Sequence, residues 1–299
     1  MMDLHTHTIH SDGADTVEEL LHHAQESGLS HLSITDHNTT SAYRDPAMAH
    51  WQEIYHGTLI RGIEITCMYQ GEIVEVLGYG YDLDKLELLL PGVVLPFREK
   101  QLREADLIAT AFEKAGVVFD RTNIHFDPEH ESSRKSFLAE LKKHPENLHL
   151  VTAPASLERS SVFTRREIYN PLSPLYVDES SLYPTLQQAS DVIHAAGGIS
   201  LLAHLYVYAH AAEFRSQLDK IIAWAQLDGV ECAHSEFTPE QISDLEHYDT
   251  EKGLLLSGGS DYHGARKPRV ALGSGQGQLH IPESYLNNWP ERIRQTFMR

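Results

Sequence analysis

Two histidines one residue apart stand near the start of the chain, in Asp3-Leu4-His5-Thr6-His7, and Ser11-Asp12-Gly13 follows. On an extended strand, side chains two apart point the same way. His5 and His7 can therefore aim two imidazoles at one point. Towards the other end, Gly259-Ser260-Asp261-Tyr262-His263-Gly264 repeats that alternation with a carboxylate and an imidazole. Imidazole and carboxylate together suit divalent transition metals such as zinc, manganese and iron. The expectation is that the two ends meet around a cluster of metal ions, with help from between. His37 follows Ile34-Thr35-Asp36, and His204 follows the apolar run Ile199 to Ala203. Glu64 is a lone acid in Gly62-Ile63-Glu64-Ile65, costly to bury unless paired or metal-bound. Asp12 taken alone could be a turn residue before Gly13. Glu75 could equally line an exposed edge with Glu72. Glu231 and His234 read as structural or supporting.

The elements that must position these groups follow from periodicity. The pattern predicts strands near Met2 to His7, His31 to His37, Thr58 to Thr66, Glu72 to Tyr79, Ile199 to Ala203, Gly229 to His234 and Leu254 to Ser257. Helices alternate with most of them. One runs from Val17 to Ser27, capped by Asp15 or Thr16 and closed by Gly28. Others are expected over Ser41 to Tyr55, Thr185 to Ala196, Ala211 to Gln226 and Pro239 to Lys252. A strand near Gln278 and a helix from about Glu283 close the chain. Apolar strand runs suit parallel strands buried on both faces. The candidate residues recur at the carboxyl ends of those runs, and in a β/α barrel these ends converge on one rim. From about Leu95 the rhythm changes to a long helix, Pro96 to Ala115, then a polar stretch with one more helix, Glu131 to Lys143. The expected organisation is a barrel from residues 1–94 and 185–299, with an inserted, mainly helical subdomain over 95–184.

Composition narrows the function. The chain has 299 residues, 41% of them hydrophobic, long enough for a barrel with an insertion. Its 24 basic and 43 acidic residues give a net charge of −19, which argues against duplex DNA or RNA as a partner. No apolar run reaches membrane-spanning length, and no basic-then-apolar leader opens the chain. Cys67 and Cys232 show no metal or redox spacing. The expected setting is cytoplasmic. The number of subunits is left open.

These motifs, in this order, resemble those of the PHP (polymerase and histidinol phosphatase) family of metal-dependent phosphoesterases. The residues concerned are Asp3-Leu4-His5-Thr6-His7, Ser11-Asp12-Gly13, Ile34-Thr35-Asp36-His37, Gly62-Ile63-Glu64, Ala203-His204 and Gly259-Ser260-Asp261-Tyr262-His263. The resemblance implies an α/β fold, a distorted (β/α)7 barrel, and two or three divalent ions, manganese, iron or zinc. It implies that His5, His7, Glu64 and Asp261 hold one ion, and Asp12, His37 and His263 a second. Glu64, His204 and Glu75 would hold a third, with Glu75 standing where relatives carry a histidine. Four carboxylates against three divalent ions leave the cluster net positive, and phosphate is its complement.

Metal coordination lowers the pKa of a bound water from 15.7 to about 7. The expected reaction is therefore in-line hydrolysis of a phosphomonoester on a small metabolite, plausibly a nucleotide. His204 is the candidate proton donor, and Asp261 the carboxylate nearest the chemistry. Arg165 and Arg166, in Thr164-Arg165-Arg166-Glu167, together with Arg134, are candidate phosphate ligands, because guanidinium grips phosphate through two hydrogen bonds. The run Arg266, Lys267, Arg269 is a further possibility. Alternatives are a histidinol-phosphate phosphatase, an amidohydrolase-type C–N hydrolase (whose bridging lysine is not found), and a non-catalytic metal-containing module.

Overall fold

Seven strands carry the fold: β1 (Met2–Asp3), β2 (His31–Ile34), β3 (Thr58–Tyr69), β4 (Glu72–Tyr79), β5 (Ile199–Leu202), β6 (Gly229–His234) and β7 (Leu255–Gly259). The computed structural model describes residues 1–294. The strands lie in sequence order in one sheet. The two edges then approach each other: Leu4 N–H donates to Gly258 C=O at 3.1 Å, His7 N–H to Tyr262 C=O at 2.8 Å, and Thr6 bridges Tyr262. The result is a nearly closed α/β barrel. Ile60, Ile63, Ile65, Val76, Leu77, Leu201, Leu202 and Val230 are buried in it.

Two departures from the sequence reading matter for function. The strand expected over Met2 to His7 is regular only at Met2–Asp3; beyond it the backbone keeps single contacts, Leu4 N–H to Gly258 C=O and a bridge at Thr6. The all-parallel expectation also fails at β4, which runs antiparallel to β3 and to β5. Only Gln70 and Gly71 join β3 to β4, both at positive φ (50° and 86°). A two-residue connection of that kind makes a hairpin, since a parallel pair needs a long crossover.

The helix Val17–Glu26 starts at a Thr16–Glu19 capping box. The stretch expected as one helix over Ser41 to Tyr55 is broken into Ser41–Arg44, Pro46–Ala49 and Trp51–Ile54 by the extended Asp45 before Pro46. The one expected over Ala211 to Gln226 is two, Ala211–Ser216 and Leu218–Ala225. No strand forms near Gln278; short turns Glu283–Asn288 and Glu291–Arg294 follow, and any continuation lies outside the described residues. No helix among the described residues is long and apolar enough to cross a membrane.

The chain divides into two compact units, one built from Met1–Val93 with the chain from Pro184 onward, the other from Val94–Tyr183. The second is mainly helical. Its core gathers Ile108, Phe112, Phe137, Leu141, Phe163 and Ile168. Phe112 and Phe137 meet edge to face at 5.5 Å. Beside that core Arg134 pairs with Glu104 and Glu179, and its guanidinium lies 4.9 Å from the Tyr169 ring centre.

Candidate metal centre

Glu64 stands at the middle of the barrel rim, 1% exposed. Its Oε2 lies 3.3 Å from both His5 Nε2 and His7 Nε2, and 3.1 Å from His37 Nδ1. Its Oε1 lies 2.9 Å from His204 Nε2. Asp261 Oδ1 is 3.3 Å from His7 Nε2 and 3.7 Å from His5 Nε2. On the solvent side, Asp12 Oδ1 is 3.1 Å from His263 Nε2, 3.7 Å from His7 Nδ1 and 3.8 Å from His37 Nε2. Glu75 reaches His37 Nδ1 at 3.3 Å and His204 Nε2 at 3.2 Å. Because β4 is antiparallel, the early part of that strand lies at the rim where β3, β5, β6 and β7 end, and this puts Glu75 in reach.

Local backbone explains the convergence. Gly259 passes so close to His5 that a Cβ there would sit 2.1 Å from the His5 Cβ. A Cβ on Gly13 would lie 2.4 Å from His7 C=O, so only glycine lets the Asp12 loop fold back. Asp3 accepts Ser260 N–H at 2.9 Å and Gly273 N–H at 2.7 Å, tying the two ends of the chain together. Asp36 accepts Thr8 N–H at 2.7 Å and the Thr8 and Ser11 hydroxyls at 2.6 and 2.5 Å, which braces the loop carrying Asp12. Asp261 (φ 57°) and His204 (φ 23°) sit in the left-handed region, strain of a kind that clusters at functional sites.

The donor set fits divalent cations. His5 Nε2, His7 Nε2 and His37 Nδ1, the nitrogens that face Glu64, are buried without a hydrogen-bond partner among the described residues. Buried polar atoms are rarely left so. Four groupings bring ligand atoms within 4.8 Å of one another: His7, Asp12, His37 and His263; His5, His7 and Asp261; His5, Glu64 and His204; His37, Glu64 and Glu75. The groupings differ from those the resemblance implies, since His7 also joins the Asp12 group and Glu75 pairs with His37 as well as facing His204. Two rings are oriented from behind. His5 Nδ1 bonds Glu231 Oε1 at 2.9 Å, and His263 Nδ1 bonds the Asp261 C=O at 2.9 Å. Such partners fix the tautomer and leave the other nitrogen for a metal. Burial opposes ionisation of Glu64, yet His5, His37 and the His204 hydrogen bond hold its carboxyl well below the usual range. Burial pushes His7 down, towards the neutral ring that ligates metal.

All nine sequence candidates for ligation are thus together. The cation candidates divide. Arg134 is committed to Glu104 and Glu179 inside the second unit, which corrects its reading as a free phosphate ligand. Arg165 and Arg166 are exposed on the turn Thr164–Ile168, while Glu167 beside them is buried and bonded to Thr152 and Ser173. Lys267 hydrogen-bonds Asp261, so the barrel supplies its own cation at the rim. Glu231 and His234, read from the sequence as structural or supporting, lie behind the cluster: Glu231 bonds His5 Nδ1, and the His234 ring adjoins Asp261. His234 Nδ1 accepts the Glu236 N–H at 3.2 Å, which in the neutral ring leaves the proton on Nε2, 3.5 Å from Asp261 Oδ2. His204, by contrast, presents Nε2 to two carboxylates.

Fold and site together define a metal-dependent hydrolase with an imidazole–carboxylate cluster at the rim of a seven-stranded barrel. The PHP domain family matches residues 3–153, and the chain belongs to that family. It is 29% identical to a 5'-3' exoribonuclease, Rnm, of Escherichia coli, covering 96% of this chain and 92% of that protein. It is 27% identical to a 3',5'-nucleoside bisphosphate phosphatase of Chromobacterium violaceum, covering 88% of this chain and 87% of the relative. A solved structure from Bifidobacterium adolescentis, assigned as a metal-dependent phosphoesterase, superposes with a TM-score of 0.63 at 23% identity, over 96% of this chain and 94% of that one. That likeness carries the fold. The protein is a PHP-type metal-dependent phosphoesterase. Relatives named as exoribonucleases mean that net charge does not exclude a nucleic-acid substrate.

Proposed function

We propose that the protein releases phosphate from a phosphomonoester of a small metabolite, with nucleotides as the favoured class. The observation that supports this reading is the gathering of His5, His7, Asp12, His37, Glu64, Glu75, His204, Asp261 and His263 at one rim, with ring nitrogens left unpartnered. In this reading those nine residues hold two or three divalent ions, manganese, iron or zinc. When bound, such ions activate water near neutrality and withdraw charge from the phosphoryl group. The chain's own residues do the rest. Glu64 fixes the spacing of the cluster, Glu231 orients His5, and Lys267 adds positive charge at Asp261. His234 holds a proton at Nε2 facing the site and is better placed than His204 to meet a leaving oxygen. Arg165 and Arg166 offer guanidinium donors for phosphate. A second reading is favoured by the E. coli relative: stepwise cleavage of a phosphodiester at an RNA end.

Phosphate release should be measured across nucleoside mono- and bisphosphates, sugar phosphates, histidinol phosphate and a short RNA, with manganese, iron or zinc supplied. Inorganic phosphate from nucleotides is expected, with a raised KM in Arg165→Ala. Mononucleotides from RNA without phosphate release from any monoester would overturn the monoester reading.

A further inference from the structure

A cavity adjoins the cluster within the barrel unit. It has a volume of about 350 Å³, and its walls include His234, Phe237, Ile242, Gln276, Gln278 and Leu279. That volume falls within the ordinary range for small-molecule sites. Its inner wall adjoins the metal centre: the His234 ring lies 5.6 Å from His204 and 6.3 Å from His5, centre to centre. Phe237 packs against the same ring at 5.2 Å and is itself braced by Tyr206 at 5.3 Å.

The lining says what group the cleft suits. Among the described residues no lysine or arginine lines the cleft, and Glu236 adds an acid. A second phosphate is repelled there. The walls instead combine aromatic and aliphatic carbon with two exposed carboxamides, Gln276 and Gln278, each able to donate and to accept. Aromatic surface for a planar ring and carboxamides for its hydrogen-bonding edge are the means by which unpaired bases are recognised. We propose that this cleft holds the uncharged base of a nucleoside phosphate while the phosphoryl group sits at the metal centre. The assignment rests on the phosphatase reading above and sharpens it, since a sugar phosphate leaves the cleft empty.

The test compares nucleoside 5'-monophosphates with ribose 5-phosphate in the metal-loaded wild type, in Phe237→Ala, and in a Gln276→Ala/Gln278→Ala double variant. Both carboxamides are exposed, so the double variant folds even if loss of Phe237 disturbs packing. The wild type should prefer nucleotides. Each variant should raise KM for nucleotides about tenfold, the scale of base–aromatic stacking; the double variant should leave ribose 5-phosphate kinetics unchanged, whereas Phe237→Ala also loosens His234 and lowers kcat on both substrates. Equal wild-type activity on both substrates, or parallel losses or no change with the double variant, overturns the base assignment. No phosphate from any substrate in the wild type sinks the phosphatase reading instead.

Discussion

Both compact units bury charge, and they do so in opposite ways. In the unit spanning Val94–Tyr183, one cation meets anions: Arg134 faces Glu104 and Glu179, both almost fully buried. At the barrel rim, carboxylates meet imidazoles of which His5 Nε2, His7 Nε2 and His37 Nδ1 have no hydrogen-bond partner among the described residues, and many ligand atoms converge on a few points. The first arrangement pairs charges that the protein itself supplies, although Arg134 Nε and Glu104 Oε1 have no hydrogen-bond partner among the described residues. The second is a set of electron-pair donors that calls for a cation from outside. A buried polar cluster by itself therefore does not mark a site; the kind of donor does.

The largest effect that could break this contrast is at the rim. Replacing His5 and His7 together by alanine should lower phosphate release by ~10³-fold or more, by removing groups that hold the ions activating water. Circular dichroism should be unchanged and bound metal reduced. Wild-type turnover in that variant would separate the cluster from the chemistry. In the other unit, Arg134→Met leaves Glu104 and Glu179 without their cation, and removing one partner of a buried pair costs about 3 kcal/mol. The thermal midpoint should fall while kcat at saturating substrate holds. Unchanged stability with a sharply raised KM would return Arg134 to the role of phosphate ligand.

A smaller effect sharpens the comparison through pH. The hydrogen bond from Lys143, against the opposing pull of burial, and those from Asn123, Asp120 N–H and His144 hold the Glu140 carboxyl at about 2, below its ordinary 4.5. A depressed carboxylate stabilises the fold fully above its ordinary pKa, and that contribution is lost as pH falls towards the folded value. The stability gap between wild type and Glu140→Gln should be constant above about pH 4.5 and close as pH falls towards 2. Urea midpoints across that range test it, and a gap independent of pH would remove Glu140 from the account.

Much of the site was legible because strands and barrels are regular. A period of two puts His5 with His7, and Asp261 with His263, and a barrel rim collects strand ends whatever their distance in sequence. The lone acid in an apolar run marked Glu64. What the sequence left undecided depends on direction and register. The two-residue link at Gln70-Gly71 turns β4 round, and so brings Glu75 to His37 and His204. Glu231 supports His5 from 226 positions away, and the Arg134 guanidinium meets Glu179 across 45.

The sequence by itself determined which side chains could bind metal, and that they lie at strand ends, because those facts follow from residue chemistry and local periodicity. Only the tertiary structure decided which carboxylate each imidazole faces, which ring accepts a backbone N–H behind the site, and which arginine is already engaged. Those depend on how elements distant along the chain pack, and no local pattern encodes that packing.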